Sequence, residues 1–202
     1  MTLILASTQT TSTAVTPAVL ELVILSLPSL IYVRRRRRSG RPRDERLTAV
    51  GLRPGTPSTY ALALALVIPV AGLGAILLQL IPTSVLHGGS KNLTVTGVPS
   101  TTGDYAAIVL TTLAEEMLFR GFVAGLLFRR FGFRTGNIIQ ALIFLSPHLL
   151  LLLVSLRLWP LLPLQLIAGW VLGWLRQRSD SIGPGWLAHA LINLLPALLF
   201  GL

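Results

Sequence analysis

Six stretches of this chain, at 17–33, 59–82, 104–128, 137–155, 158–175 and 184–202, are dominated by apolar residues and carry few charges. An α-helix needs ~20 such residues to cross a bilayer core ~30 Å thick, and each stretch reaches or approaches that length. Charged residues make up 12% of the chain and apolar ones 52%, against ~25% charged in a typical soluble domain. That balance excludes a soluble globular protein, and it excludes disorder, which requires low hydrophobicity. An outer-membrane barrel would show short alternating segments instead of continuous runs. The expected fold class is therefore all-α, a polytopic membrane helical bundle of about six transmembrane helices. Residues 1–103 would supply two spans and a basic loop, and residues 104–202 a core of four spans. Cysteine is absent, which removes disulfides, thiolate metal sites and thiol nucleophiles.

The net charge of +10 comes from sixteen Arg and one Lys against seven acids. In a soluble chain it would suggest nucleic acid, but here most of the basic residues fall between apolar runs. Residues 34–58, 129–136 and 176–183 hold nine, three and two of them, whereas the alternate loops hold only Lys91 and Arg157. Positive loops stay on the cytoplasmic side, so both termini are expected outside. The Arg34–Arg38 run follows the first apolar stretch, the reverse of the order in a signal peptide. It reads as a topology anchor beside anionic headgroups, within a loop of Pro and Gly content spanning 34–58. Trp159, Trp170, Trp174 and Trp186 lie near span ends, where interfacial anchoring is the ordinary role. His87, in a Gly/Ser loop, reads as solvated.

Glu115, Glu116 and Arg120 interrupt the third span. Each charge costs ~2.5–3.5 kcal/mol at mid-bilayer on insertion scales, so such residues face the protein interior or a wet cavity. Glu116 and Arg120, four apart, share a helix face and can pair. Glu115 lies ~100° round the helix and is left for chemistry. His148 follows Pro147, which deprives the Ile143 carbonyl of its helical partner and bends the helix. His189 and Asn193 share a face of the last span, and Gly169 and Gly173 permit close helix approach. At ~1.5 Å per residue the polar groups of all three spans overlap in depth. Two carboxylates, two imidazoles and an amide can meet.

Three short patterns carry a resemblance. Glu115-Glu116-Met-Leu-Phe-Arg120, Phe144-Leu-Ser-Pro-His148 and His189-Ala-Leu-Ile-Asn193 resemble the E-E-x-x-x-R, F-x-x-x-H and H-x-x-x-N motifs of the CPBP (CAAX protease and bacteriocin-processing, or Abi) intramembrane proteases. The Gly169–Trp174 stretch agrees as well, and the resemblance covers roughly 105–195. Ser146-Pro147 stands where small or aromatic residues are more usual, and only two spans precede the motif core where relatives often have more. The resemblance implies endoproteolysis of a membrane-embedded or membrane-anchored peptide, with catalytic residues Glu115, Glu116, Arg120, His148, His189 and Asn193. Glu115 would deprotonate a water, His148 would hold it or share its proton, and His189 and Asn193 would donate to the oxyanion. The metalloprotease label of the family leaves two mechanisms open: zinc held by Glu115, His148 and His189, or a metal-free activated water.

Two other classes compete with a peptidase. One is a non-catalytic membrane immunity or partner-regulating protein of the same fold. The other is a small proton-coupled transporter, since intramembrane Glu/His chains also relay protons; the absence of repeat symmetry speaks against it. An Arg-rich, Lys-poor chain of this size points to a bacterial plasma membrane, with the site toward the cytoplasmic half. The expected partners are a membrane-associated substrate and the lipid bilayer, without nucleic acid.

Overall fold

The computed structural model describes residues 12–87, 99 and 101–200, and among these there is no strand. Helix α1 spans Ser12–Arg38, α2 Arg43–Ala49, α3 Pro57–Leu78, α4 Thr83–His87, α5 Thr102–Glu116, α6 Gly125–His148, α7 Leu151–Val154, α8 Leu161–Ser179 and α9 Gly183–Phe200. A π-helical segment, Met117–Ala124, joins α5 to α6, and a 3₁₀ turn, Leu156–Leu158, precedes α8. Among the described residues each of the six expected spans lies largely on helix, and the all-α fold class holds. By length and composition, Ala14–Arg38, Pro57–Leu78 and the continuous stretch Thr102–Val154 can cross a membrane. That last stretch holds two of the expected spans. Lys91 lies outside the described residues, as does the side chain of His87.

What is exposed and what is buried is inverted relative to a soluble protein. Val19, Leu20, Val23, Ile24, Leu27, Leu30 and Ile31 make an exposed apolar stripe on α1, while Ser26 and Ser29 on its other face are buried. Glu116, Arg120, Asn137, Gln140, His148, Gln165 and His189 are buried as well. Only an apolar surrounding makes such an outer surface favourable, because water would drive those side chains inward. The helices pack as α1 on α5, α6 on α8, α3 on α9 and α8, and α5 on α9. Apolar clusters fill the gaps: Ala63, Val67, Leu172, Leu175 and Ala188 between α3, α8 and α9, and Ile81, Leu151, Leu158 and Leu161 at one end.

Local structure departs from the sequence reading in four places. The Arg34–Arg38 run is the last turns of α1 and not loop: arginine is a good helix former, and its charge favours the negative helix end. The expected basic loop therefore begins after Arg38 and contains α2. At 129–136 the chain remains in helical hydrogen bonding, with a break at Gly132, whose φ of 72° a side-chain-bearing residue rarely adopts. Phe128 and Phe133 close over that break edge-to-face, with centroids 5.4 Å apart. Pro147 does not bend a span midway; α6 ends at His148, and the Ser146 hydroxyl donates to the orphaned Ile143 carbonyl at 2.8 Å. Trp186, finally, is more than an anchor, since its indole N–H donates to the Val109 carbonyl of α5 at 3.1 Å.

Candidate active site

The acidic pair sits where α-helix gives way to π-helix. Glu116 closes α5 and Arg120 lies in the wider turns that follow. Such π segments are rare and recur at functional sites. Here tertiary partners hold one open. The Ser29 hydroxyl of α1 donates to the Met117 carbonyl at 2.7 Å, and Gly121 lets α1 approach so closely that a Cβ there would lie 2.8 Å from Ser29 Oγ.

Within this segment Arg120 Nη1 lies 3.0 Å from Glu116 Oε1, and both side chains are 0% exposed. The guanidinium also stacks over the Phe144 ring, with Cζ 4.1 Å from its centroid, and reaches the Gly169 carbonyl at 3.5 Å. This is the expected pairing, with an aromatic floor added. A desolvated cation–π contact contributes ~2 kcal/mol, which helps hold a charge where lipid would reject it.

His189 joins the two glutamates. Its Nδ1 lies 3.0 Å from Glu116 Oε1 and its Nε2 3.6 Å from Glu115 Oε2. Glu116 thus fixes the orientation of the imidazole, while Glu115, with a side chain 13% exposed, is the more accessible carboxylate. The first separation is hydrogen-bonding; the second is longer than a direct hydrogen bond. Gly185, one turn before His189, leaves room for Glu116: a Cβ there would meet Glu116 Oε2 at 3.2 Å.

His148 comes alongside through Phe144. The Phe144 centroid lies 4.9 Å from the ring of His148 and 6.0 Å from that of His189, and Phe119 meets Phe144 edge-to-face at 5.1 Å. His148 Nδ1 is 2.8 Å from the Phe144 carbonyl. That carbonyl can only accept, so Nδ1 carries the hydrogen and Nε2 is left for other groups. Asn193, one turn beyond His189, has a buried Nδ2 without a hydrogen-bond partner, and Glu115 Oε2 and Glu116 Oε2 are in the same condition. Buried polar atoms of this kind are unusual in a folded protein and favour sites where something else must bind.

Two site-supporting residues went unremarked in the sequence reading. Gln140 and Asn137, both fully buried on α6, bind the backbone of α8. Gln140 Nε2 donates to the Gly169 carbonyl at 2.7 Å and to Asn137 Oδ1 at 2.9 Å, and Asn137 Nδ2 donates to the Trp170 carbonyl at 3.1 Å. Gly169 and Gly173 allow that approach, since a Cβ at Gly169 would lie 3.0 Å from Phe144 and one at Gly173 would collide with Asn137. Their signal was visible: two amides three residues apart in an otherwise apolar span need a shared partner. The structure therefore brings Glu115, Glu116, Arg120 and His189 into direct contact, places His148 beside them across Phe144, and sets Asn193 one turn along α9.

The zinc set suggested by resemblance does not form as the side chains stand. Both nitrogens of His189 face glutamate oxygens, and among the described residues no three His, Asp or Glu side chains are grouped as a metal would require.

Compared with known proteins, residues 97–195 match the family model of type II CAAX prenyl endopeptidase Rce1-like proteins. The matched stretch contains all three motifs. No curated protein and no solved structure matched the chain.

Proposed function

We propose, from the match of residues 97–195 to the family model of Rce1-like type II CAAX prenyl endopeptidases, a family of intramembrane proteases, that this chain hydrolyses a peptide bond of a membrane-associated substrate with a water activated by Glu115. The observation that carries the reading is the clasp of His189 between Glu115 and Glu116, backed by the buried Arg120.

In this mechanism Glu116 and Arg120 are positioning residues. Their pair is sealed from solvent and fixes the imidazole of His189 through Nδ1. Glu115 takes a proton from water as the oxygen attacks the carbonyl carbon; the C–N bond then breaks, and the proton passes to the departing amine. His189 Nε2 borders the same space and can relay that proton. Asn193 Nδ2, a buried donor with no partner, is suited to the oxyanion, where a preorganised donor contributes most. His148, its Nδ1 committed to the Phe144 carbonyl, presents Nε2 to the reacting groups. No step passes through a metal.

Charge asymmetry and the motif depths support a site toward the cytoplasmic half of a six-span bundle with both termini outside. Residues 104–202 form its catalytic core, and residues 1–103 supply α1, which props open the π segment. The competing readings, a non-catalytic partner-regulating protein and a proton-coupled transporter, predict no peptide cleavage. The test is terminal-peptide profiling of membranes from cells carrying wild-type protein or Glu115→Gln at equal abundance. The proposal expects at least one membrane protein whose cleaved terminus is present only with the wild type. Identical sets of termini would return the chain to the non-catalytic readings.

A further inference from the structure

Away from the candidate active site, at the arginine-rich end of the bundle, α1, α2, α6 and α8 border a half-open cavity of about 450 Å³. Six arginines line it, together with Asp44, Glu45 and Asp180. Arg41 pairs with Glu45 at 3.3 Å and Arg176 with Asp180 at 3.8 Å. Among the described residues the other four, Arg36, Arg46, Arg53 and Arg129, form no ion pair with a carboxylate, which leaves only Asp44 against them. The cavity therefore holds three uncompensated positive charges. Arginine is always protonated, and its planar fork matches phosphate oxygens.

Arg176 is buried and Arg36 and Arg46 half-buried, and the exposed Arg53 and Arg129 are tied down by contacts to the protein. Arg36 and Arg129 both lie against the Tyr32 ring, with Cζ 5.3 and 4.9 Å from its centroid. Arg129 Nη1 donates to the Ala49 carbonyl at 2.8 Å, Arg176 Nη2 to the Thr48 carbonyl at 2.6 Å, and Arg53 Nη1 to Thr48 Oγ1 at 3.0 Å. Four elements bring like charges to one cavity, an arrangement that an anion lying between them would stabilise. Only Arg36 comes from the polyarginine run, so the run's role as a topology anchor does not account for the cavity.

The rim identifies the anion's source. The exposed apolar stripe of α1 ends with Leu30 and Ile31, adjoining Tyr32, and exposed Leu126 adjoins Gly125, another lining residue. Lipid-facing surface thus runs directly into the basic cavity. We propose that this cavity binds the phosphate-bearing headgroup of an anionic membrane lipid, whose acyl chains lie along α1. Bound there, the headgroup would cross-link α1, α2, α6 and α8 and stabilise the fold.

The test uses the purified full chain in a neutral detergent. Phosphatidylglycerol, phosphatidylcholine or inorganic phosphate is titrated in while the melting temperature is followed. Phosphatidylglycerol at saturation is expected to raise it by ~5–10 °C, as mass action on a chain of this size implies, and the other two should leave it within ~1 °C. Arg36→Gln with Arg129→Gln should lose most of that shift, and Arg53→Gln, at an exposed arginine, covers the case in which the double variant does not fold. Arg37→Gln with Arg38→Gln, on the same helix end but outside the cavity, should retain it. An equal shift with inorganic phosphate would make the ligand a free anion and overturn the lipid. No selective shift, or a loss as large in the Arg37/Arg38 variant, would overturn the site. Because the readout is melting temperature, either result leaves the peptidase reading untouched.

Discussion

Glu116→Gln isolates what the buried ion pair does. Among the described residues, Glu116 is the one carboxylate within ion-pair distance of Arg120, and both are fully buried. The substitution leaves an uncompensated guanidinium at a position where removing one partner of a buried pair typically destabilises by ~3–5 kcal/mol. Two contacts soften the loss. Phe144 still faces the cation at 4.1 Å, and the glutamine oxygen can still accept from His189. We expect about 3 kcal/mol of destabilisation, or ~6–12 °C in melting temperature for a chain of about 200 residues. Glu116→Gln combined with Arg120→Gln should recover at least half of that, because the stranded charge is gone. Glu115→Gln, whose nearest ionisable neighbour is His189 at 3.6 Å, should melt within ~2 °C of wild type. The assay is thermal unfolding of all four proteins in one detergent. If Glu116→Gln melts with the wild type, or the double variant is no better than the single, the pair does not anchor this segment and the reasoning fails.

Gly173→Ala should destabilise despite the better helix propensity of alanine, by ~1–3 kcal/mol of overpacking. The new Cβ collides with Asn137, whose amide is pinned to the Trp170 carbonyl; a melting temperature at or above wild type would show that the α6–α8 contact can relax. A cysteine at Ser39 should resist an impermeant thiol reagent in intact cells while one at Arg157 reacts, and the reverse pattern would invert the topology. Since both nitrogens of His189 face glutamates, purified protein should hold well below one zinc per chain and keep its cleavage activity under chelation. Stoichiometric zinc, with activity lost on chelation and restored by the metal, would mean that the His189 ring turns to coordinate it.

Hydrophobic run length made the helices legible, because a bilayer sets a minimum run, and Ala14–Arg38, Pro57–Leu78 and Thr102–Val154 meet it. The convergence of Glu115, Glu116 and His189 was legible for a related reason: intramembrane charges have nowhere to go but toward each other. The π segment was not. The Met117 carbonyl accepts from the Ser29 hydroxyl, 88 residues earlier in the chain, and no local pattern encodes that partner. The clasp of His189 by both carboxylates escaped for the same reason, since spacing fixed which residues met but not which atoms. The Gln140 and Asn137 amides were readable as buried polar groups, yet their partners are backbone carbonyls of α8, which a sequence does not label. The Arg34–Arg38 run, expected as loop, is helical because a helix end tolerates cations that repel one another elsewhere.

The central claim is that Glu115 activates the attacking water without itself maintaining the fold. It is tested most directly by the cleavage rate per folded molecule of Glu115→Gln and wild type in the same proteoliposomes, using as substrate a protein that accumulates uncleaved in Glu115→Gln membranes. The account predicts a fall of ~10²–10⁴-fold, the range for loss of a general base, at an unchanged melting temperature. A Glu115→Gln rate within threefold of wild type would contradict it.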